Sequence, residues 1–123
     1  YKNVIEDIRN IFKKKIKKID TFKIPHKKVW FDPGIGFGKN LKQNLSIIKN
    51  IQKFKLFDFG LLVGLSRKSW ISGIDGSSVD NRLGGSLAST LYCLNNGVDI
   101  FRAHDVFETR QAIEVYKRII CSR

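Results

Sequence analysis

Three short apolar runs, each followed by a polar loop and then by a helical pattern, limit the folds open to this chain more than any other feature. The runs begin at Val29, Leu61 and Val98. The middle run is apolar without alternation, as expected for a parallel strand that is buried on both faces. Strands that alternate with helices in this way form right-handed βαβ units and a parallel sheet. We therefore predict the α/β fold class, with strands over residues 29–32, 61–65 and 98–101.

In the segments between and around these strands, apolar residues recur at the three- and four-residue spacing of a helix. We predict helices over residues 3–19, 41–54 and 108–120, a helical turn at 70–71, and a helix that carries leucines at 83, 87, 91 and 94. Asp80 is the predicted N-cap of that helix, and Gly97 its left-handed stop. A closed barrel of βα units needs eight strands and about 250 residues. The 123-residue chain is thus predicted to be one domain, either the C-terminal part of a (β/α)₈ barrel or a small open sheet.

Polar and charged residues follow each predicted strand. The first strand ends at Asp32 and continues into Pro33 and a loop with glycines at 34, 36 and 38. Proline cannot continue a strand ladder, whereas glycine allows a positive φ or the close approach of a ligand. The second strand leads into Ser-Arg-Lys-Ser at 66–69, and the third into Arg102 and His104. Because parallel strands place their C-terminal ends on one face, we predict one shared site.

The residue types at these strand ends favour a ligand that is both heterocyclic and anionic. A buried carboxylate at Asp32 can accept hydrogen bonds from the amidine-like edge of a heterocycle. Lys68 and Arg102 can bind an anion or a ring carbonyl, and the Arg102 guanidinium can also stack on an aromatic ring. Ser69 lies near a predicted helix start, which favours a carboxylate or phosphate. His104 can contact a second anion or donate a proton to a leaving group.

Purely structural interpretations of the same residues stay open. Asp32 can cap its own loop, Ser66 can be a helix N-cap, and His104 can form a local hydrogen-bonded turn with Asp105. Arg67 is predicted to point away and form a surface ion pair. The glycine loop matches neither a nucleotide P-loop nor a dinucleotide-binding fingerprint, and no spacing typical of a metal site is present. The coincidence of three polar strand ends is what favours a site.

The net charge of +12 is concentrated in the first 60 residues, which hold 15 Lys and Arg against 5 Asp and Glu. We interpret the lysines at 13–18 as a solvated helix face and predict no nucleic-acid binding, because aromatic residues do not alternate with them. His26 is likewise expected to be solvated.

Cys93 and Cys121 are predicted free thiols, and no apolar run is long enough to span a membrane. We therefore expect a cytoplasmic protein without membrane contact.

Four segments, in this order along the chain, together resemble dihydropteroate synthase: DPGIGFGK at 32–39, LVGLSRKS at 62–69, RLGGSLA at 82–88 and RAHDVFET at 102–109. That family is a (β/α)₈ barrel of folate biosynthesis. The resemblance covers the whole chain but about the C-terminal half of the family's protein, so it implies barrel strands six, seven and eight. It also implies a transferase that condenses 6-hydroxymethyl-7,8-dihydropterin pyrophosphate with p-aminobenzoate, giving dihydropteroate and pyrophosphate.

The resemblance also implies roles for individual residues. Asp32 would bind the amino-pyrimidine edge of the pterin and Lys68 its carbonyl and ring nitrogen, while Arg102 would stack on the pterin and hold the pyrophosphate together with His104. Lys68, Arg102 and His104 are the implied catalytic residues. The p-aminobenzoate site, which sulfonamides also occupy, would be lined by Phe37, Lys68 and Ser69, with Ser66 nearby, and Gly36 and Gly64 complete the implied substrate-binding set. In the mechanism implied, pyrophosphate leaves first, accompanied by Mg²⁺ whose ligand lies outside this chain.

The first five strands of that family have no counterpart in this sequence. We therefore expect the full-length protein to be the working unit, as a homodimer, and the 123 residues alone to have little or no activity. An alternative is an inactive half-barrel remnant that acts only with a partner or with the missing half. A third hypothesis, a basic nucleic-acid-binding domain, rests on the charge of the first 60 residues alone. A pterin-binding methyltransferase family shares this barrel, but the run at 66–69 favours the synthase.

Overall fold

The computed structural model describes residues 2–122 and confirms the α/β fold with a parallel sheet. The sheet contains β1 (Trp30–Phe31), β2 (Gly60–Gly64) and β3 (Ile100–Arg102), and β2 lies in the middle. Trp30 pairs with Gly60 at one edge of β2, and Gly64 pairs with Arg102 at the other. The apolar runs were thus correctly placed, although β1 and β3 are shorter than the predicted strands, and β3 begins two residues later than predicted, at Ile100, and ends one residue later, at Arg102.

Residues 2–122 contain five α-helices besides the sheet. They are α1 (Val4–Thr21), α2 (Leu41–Lys49), α3 (Ser69–Asp75), α4 (Leu83–Asn95) and α5 (Val106–Ile120), with short 3₁₀ turns at His26–Lys28, Ile51–Phe54 and Val79–Asn81. The predicted helix over 41–54 therefore breaks at Asn50, whose side chain donates to the Ser46 carbonyl and ends α2. The prediction that Asp80 caps the next helix is wrong, since Asp80 lies in a 3₁₀ turn and Arg82 is the N-cap.

The core lies between β1, β2 and the helices α1 and α2. Phe12 of α1 stacks on Phe31 of β1 with 4.5 Å between ring centroids, and Phe31 meets Phe59 edge-on at 5.0 Å. Leu61 and Val63, on one face of β2, are fully buried, whereas Leu62 on the opposite face is only partly buried, so the prediction of a strand buried on both faces holds only in part. Ile11 shares the apolar pattern of α1 but is 46% exposed. This packing holds β1 and β2 side by side, so that their C-terminal ends open on the same face.

Helix α4 buries small residues and leaves its leucines on the other side. The buried positions are Ser86, Ser89, Thr90 and Cys93. Leu83 is exposed, and Leu87 and Leu91 line a groove shared with Ala112 and Val115 of α5. Burial raises the pKa of the Cys93 thiol to about 12, and both cysteines are free, as predicted. No helix within residues 2–122 is long and apolar enough to cross a membrane.

His26 joins the two loops that precede β1 and β2, which corrects the expectation that it is solvated. Its Nε2 lies 2.6 Å from an Asp20 carboxylate oxygen, and its Nδ1 lies 2.6 Å from an Asp58 carboxylate oxygen. The ring also stacks on Phe59 with 4.0 Å between centroids. Hydrogen bonds to Asp20 and then Asp58 raise the pKa of His26 above its usual 6.5, since they favour the charged imidazolium.

We expect the stability of the protein to fall as the pH rises through the folded-state pKa of His26. A raised histidine pKa stabilises the fold fully below pH 6.5, and this contribution is lost above the folded-state value because both states are then neutral. Urea unfolding between pH 5 and pH 9, compared with His26→Gln, measures the effect. The wild-type curve should approach that of His26→Gln at high pH. Parallel curves over the whole range would contradict this assignment.

Candidate functional site

The C-terminal ends of all three strands meet, as predicted, and their charged side chains interact there. Arg102 Nη2 donates to Asp32 Oδ2 at 3.2 Å, which joins the ends of β3 and β1 across β2. Lys68 follows β2 and donates to the Ile35 carbonyl at 2.5 Å. Its ammonium also lies 4.7 Å from the centre of the Phe37 ring, a cation–π distance. One surface therefore presents a carboxylate, two cations and an exposed aromatic ring.

The loop after β1 takes a shape that depends on its glycines. Gly34, Gly36 and Gly38 have φ values of 75°, 86° and 61°, a region that residues with a Cβ rarely adopt. Asp32 Oδ1 accepts from the Gly34 N–H at 2.8 Å, so Asp32 both caps the loop and faces Arg102. Its side chain is 33% exposed, so the prediction of a buried carboxylate is wrong. The partial exposure leaves part of this carboxylate accessible from solvent.

Lys68 lies between two glycines that leave room for its chain. A Cβ at Gly36 would lie 2.9 Å from Lys68 Cδ, and one at Gly64 would lie 3.4 Å from its ammonium. Burial is the largest effect on the pKa of Lys68 and lowers it. The positive charges of Arg102 and Lys39 also lower this pKa, whereas the negative charge of Asp32 raises it. The lysine is thus held partly desolvated and ready to donate hydrogen bonds. Gly36 and Gly64, which the resemblance placed in the substrate site, both belong to its immediate surroundings.

Ser66 and His104 form a second pair beside this surface. Ser66 Oγ is buried, accepts from the His104 backbone N–H at 3.1 Å, and lies 2.9 Å from His104 Nδ1. Ser66 is therefore not a helix N-cap. The hydroxyl fixes both the backbone and the ring of His104, so that the ring's Nε2 is the nitrogen left to face a ligand. Ser69 is exposed at the first position of α3, at the rim of the site.

The predicted ion pair of Arg67 links the loops after β2 and β3. Its guanidinium donates to both oxygens of Asp105, at 2.7 and 3.2 Å, and this hydrogen bonding lowers the pKa of the Asp105 carboxyl. Arg67 has φ 55°, and its backbone N–H donates to Ser86 Oγ while its carbonyl accepts from Arg82. These bonds hold an otherwise unfavourable backbone conformation immediately before Lys68.

Sequence reasoning missed several residues that support the site. Lys39 donates to the Gly34 and Phe37 carbonyls, both at 2.8 Å, and burial lowers its pKa. Asn44 of α2 is buried and accepts from the Gly36 N–H at 2.8 Å. A single Asn within an apolar helix pattern was the available signal, because a buried amide needs hydrogen-bond partners.

We expect Ser66→Ala to destabilise the protein by about 1–3 kcal/mol, because the His104 N–H would lose a buried acceptor. Thermal or urea unfolding measures the change. Ser77→Ala is the matched control, since within residues 2–122 the Ser77 hydroxyl accepts from no backbone N–H and acts on the exposed carboxylate of Asp75 instead. That control should be neutral within about 0.5 kcal/mol. Equal losses in the two variants would show that the Ser66–His104 contact does not stabilise the fold.

Within residues 2–122 no three His, Cys, Asp or Glu side chains are grouped so that they could hold a metal ion. The surface that contains Lys68 and Arg102 is positively charged, which suits an anion and not a divalent cation. We therefore assign no metal ligand to the described residues. The expectation that Mg²⁺ accompanies the pyrophosphate concerns residues outside them.

The chain is similar to known proteins in sequence and in fold. A sequence model of the family described as "Pterin binding enzyme" matches residues 1–104. The dihydropteroate synthase of Escherichia coli K12 is 36% identical over 123 residues, which are 100% of this chain and 44% of that protein. The crystal structure of the Yersinia pestis synthase matches with a TM-score of 0.92 at 32% identity, covering 99% of this chain and 50% of that one.

A third similar structure is the Xanthomonas albilineans dihydropteroate synthase in complex with 7,8-dihydropteroate. It matches with a TM-score of 0.94 at 27% identity and covers 100% of this chain and 47% of that one. The chain therefore spans half or less of the length of each of these three proteins. The match to these barrel structures confirms the prediction of a partial (β/α)₈ barrel.

Proposed function

Since this chain belongs to the pterin-binding enzyme family, we propose that it forms the substrate-binding C-terminal part of a dihydropteroate synthase. The single observation that carries the proposal is the meeting of Asp32, Lys68 and Arg102 at the ends of three parallel strands. These side chains were predicted as pterin and anion ligands from sequence. The relatives bear the same activity in their names, and one of them holds 7,8-dihydropteroate.

The reaction joins two substrates by a substitution at carbon. The bond between the pterin methylene carbon and the pyrophosphate oxygen breaks, and the oxygen keeps the electron pair. The amine nitrogen of p-aminobenzoate then forms the new bond to that carbon and loses one proton. The leaving group gains negative charge as the bond breaks, so cations aimed at it lower the barrier. Arg102, at the end of β3, would supply such a cation, and His104, two residues further on, would donate a hydrogen bond to the same leaving group.

The pterin would lie over the strand ends. The exposed part of the Asp32 carboxylate would accept hydrogen bonds from the amino-pyrimidine edge, and Lys68 would donate to the ring carbonyl and nitrogen. Arg102 now donates to Asp32 at 3.2 Å, and its side chain is 65% exposed. The guanidinium is therefore free to swing over the bound ring and stack on it.

The second substrate would lie on the outer side of Lys68. The Phe37 ring is 63% exposed and lies over the ammonium at 4.7 Å. Such a ring offers an apolar face for an aminobenzoate ring, while Ser69 at the start of α3 offers a hydroxyl to its carboxylate. The same surface would accept sulfonamides.

We further propose that Mg²⁺ is held with the pyrophosphate by residues outside this chain. We also propose that the protein is cytoplasmic.

In a working enzyme, the unpaired edges of the two outer strands would be hydrogen-bonded to further strands. β1 and β3 are the two outer strands in the described part of the chain, and a groove of about 440 Å³ beside β1 is lined by Phe12, Val29 and Trp30. Unpaired strand edges of this kind invite pairing with further strands. We propose that the remaining strands of a barrel cover these edges. The groove between α4 and α5 is the proposed contact of a homodimer.

An activity assay tests the proposal. The protein in its natural full length, given the pterin pyrophosphate, Mg²⁺ and radiolabelled p-aminobenzoate, should form dihydropteroate and release pyrophosphate in equal amounts. Residues 1–123 alone should form little or none. A full-length protein that folds but yields no dihydropteroate would overturn the synthase assignment and favour the inactive remnant.

A further inference from the structure

One peptide unit connects Lys68 to a residue of α2. The carbonyl of Ile35 accepts from the Lys68 ammonium at 2.5 Å. The N–H of the next residue, Gly36, donates to Asn44 Oδ1 at 2.8 Å. These two groups belong to the same planar peptide and point in opposite directions. Whatever fixes the direction of the Gly36 N–H therefore also fixes the direction of the carbonyl that Lys68 contacts.

Asn44 is suited to hold this peptide. It is 3% exposed, and its amide nitrogen contacts the Lys39 carbonyl at 3.4 Å, so both halves of the side chain are engaged. The other buried residues of α2 are Ile47 and Ile48. An amide buried among isoleucines costs free energy unless it forms hydrogen bonds, and here the bonds go to the loop and not to α2 itself.

The loop needs such a restraint. Gly36 has φ 86° and no Cβ, so rotation of its flanking peptides meets little steric resistance. A peptide that rotated away from Asn44 would turn the Ile35 carbonyl away from Lys68. The bond at the N–H also polarises the peptide, which strengthens the carbonyl as an acceptor.

We propose that Asn44 is a positioning residue for Lys68, acting through the Ile35–Gly36 peptide. Its side chain does not contact the ammonium; it sets the direction of the carbonyl that holds it over the strand ends. That the positioned lysine then meets a pterin rests on the proposed function, whereas the positioning itself does not.

The test uses Asn44→Leu, which keeps the shape of the side chain and removes the acceptor. The matched control is Asn40→Ala, which removes the N-cap of the same helix: Asn40 Oδ1 accepts from the Gln43 N–H at 2.8 Å. Asn40→Ala weakens α2 itself, but it leaves the Ile35–Gly36 peptide bonded to Asn44. Asn44→Asp keeps the Oδ1 acceptor and is the conservative variant. Should Asn44→Leu not fold, Asn44→Ser, which is too short to reach Gly36, replaces it.

Two readouts are measured on the full-length protein. The first is the rate at which the Lys68 amine is methylated by formaldehyde and a borane, followed by mass spectrometry of the Lys68 peptide. The second is kcat and KM for the pterin pyrophosphate. Asn44→Leu should raise the methylation rate several-fold and raise KM about tenfold, the equivalent of one hydrogen bond to a charged group. Asn40→Ala should change neither, and Asn44→Asp should restore both towards wild type.

A folded Asn44→Leu protein whose Lys68 reacts at the wild-type rate would overturn the proposal. So would an Asn40→Ala protein that reproduces both changes, since loss of helix stability would then explain them. If no protein turns over the pterin pyrophosphate, the proposed function fails. The methylation rates still decide, in that event, whether Asn44 positions Lys68.

Discussion

Replacing Asp32 with alanine is expected to raise the dissociation constant for a pterin at least about 100-fold. Two charge-assisted hydrogen bonds from the amino-pyrimidine edge would be lost, each worth about 1.5–3 kcal/mol. The loss is aggravated because Arg102 and the Gly34 N–H, which Asp32 now accepts from, would have no carboxylate partner. Isothermal titration with a pterin measures the change.

Asp75→Ala is the matched control for this experiment. Asp75 also accepts from the backbone N–H two residues ahead, that of Ser77, at 2.9 Å, so it makes the same kind of turn as Asp32 and Gly34. It lies at the end of α3, away from the strand ends. Pterin affinity should be unchanged in Asp75→Ala, and Asp32→Asn should lie between wild type and Asp32→Ala. An Asp32→Ala protein that binds pterin normally would remove Asp32 from the site.

Gly36→Ala is expected to weaken binding at the same site by shifting Lys68. The new methyl group would lie 2.9 Å from Lys68 Cδ, closer than carbon atoms normally approach, so the lysine chain must move and carry its ammonium with it. The residue would also keep φ 86°, which costs a residue with a Cβ about 1–2 kcal/mol. Titration with the pterin and urea unfolding together separate these two effects.

Gly38→Ala is the control that separates the steric contact with Lys68 from the cost of the backbone conformation. Gly38 also has a positive φ, 61°, but a Cβ there would meet nothing within 4 Å. Gly38→Ala should therefore destabilise the protein by a similar amount, about 1–2 kcal/mol, while pterin binding persists. If both variants lose binding equally, general distortion of the loop explains the loss and the contact with Lys68 does not.

The position of the site could be predicted from sequence because it depends on backbone topology. Three apolar runs separated by helical segments allow essentially one arrangement, a parallel sheet whose ends share a face, and this placed Asp32, Lys68 and Arg102 together. The ion pair of Arg67 was also predicted, and Asp105 is its partner. These conclusions needed the order of elements and the residue types, but no knowledge of side-chain packing.

Features that depend on packing across the chain were not predicted. His26 lies among lysines in the sequence, and its partners Asp20 and Asp58 are brought to it only by the fold. Asn44 lies on the apolar face of its helix in the sequence pattern, but the partner of its buried amide, the Gly36 N–H, is brought to it only by the fold of the glycine loop. Asp80 has a good capping side chain, but the 3₁₀ turn at Val79–Asn81 separates it from α4.

The most direct test of the account is calorimetric titration of the full-length protein with the pterin pyrophosphate and Mg²⁺, alongside Lys68→Ala. The strand-end site predicts saturable binding by the wild type and a dissociation constant about 10- to 100-fold higher in Lys68→Ala, as expected for the loss of a hydrogen bond from a charged group. Equal affinities in two folded proteins, or no binding by the folded wild type, would contradict a pterin site at these strand ends.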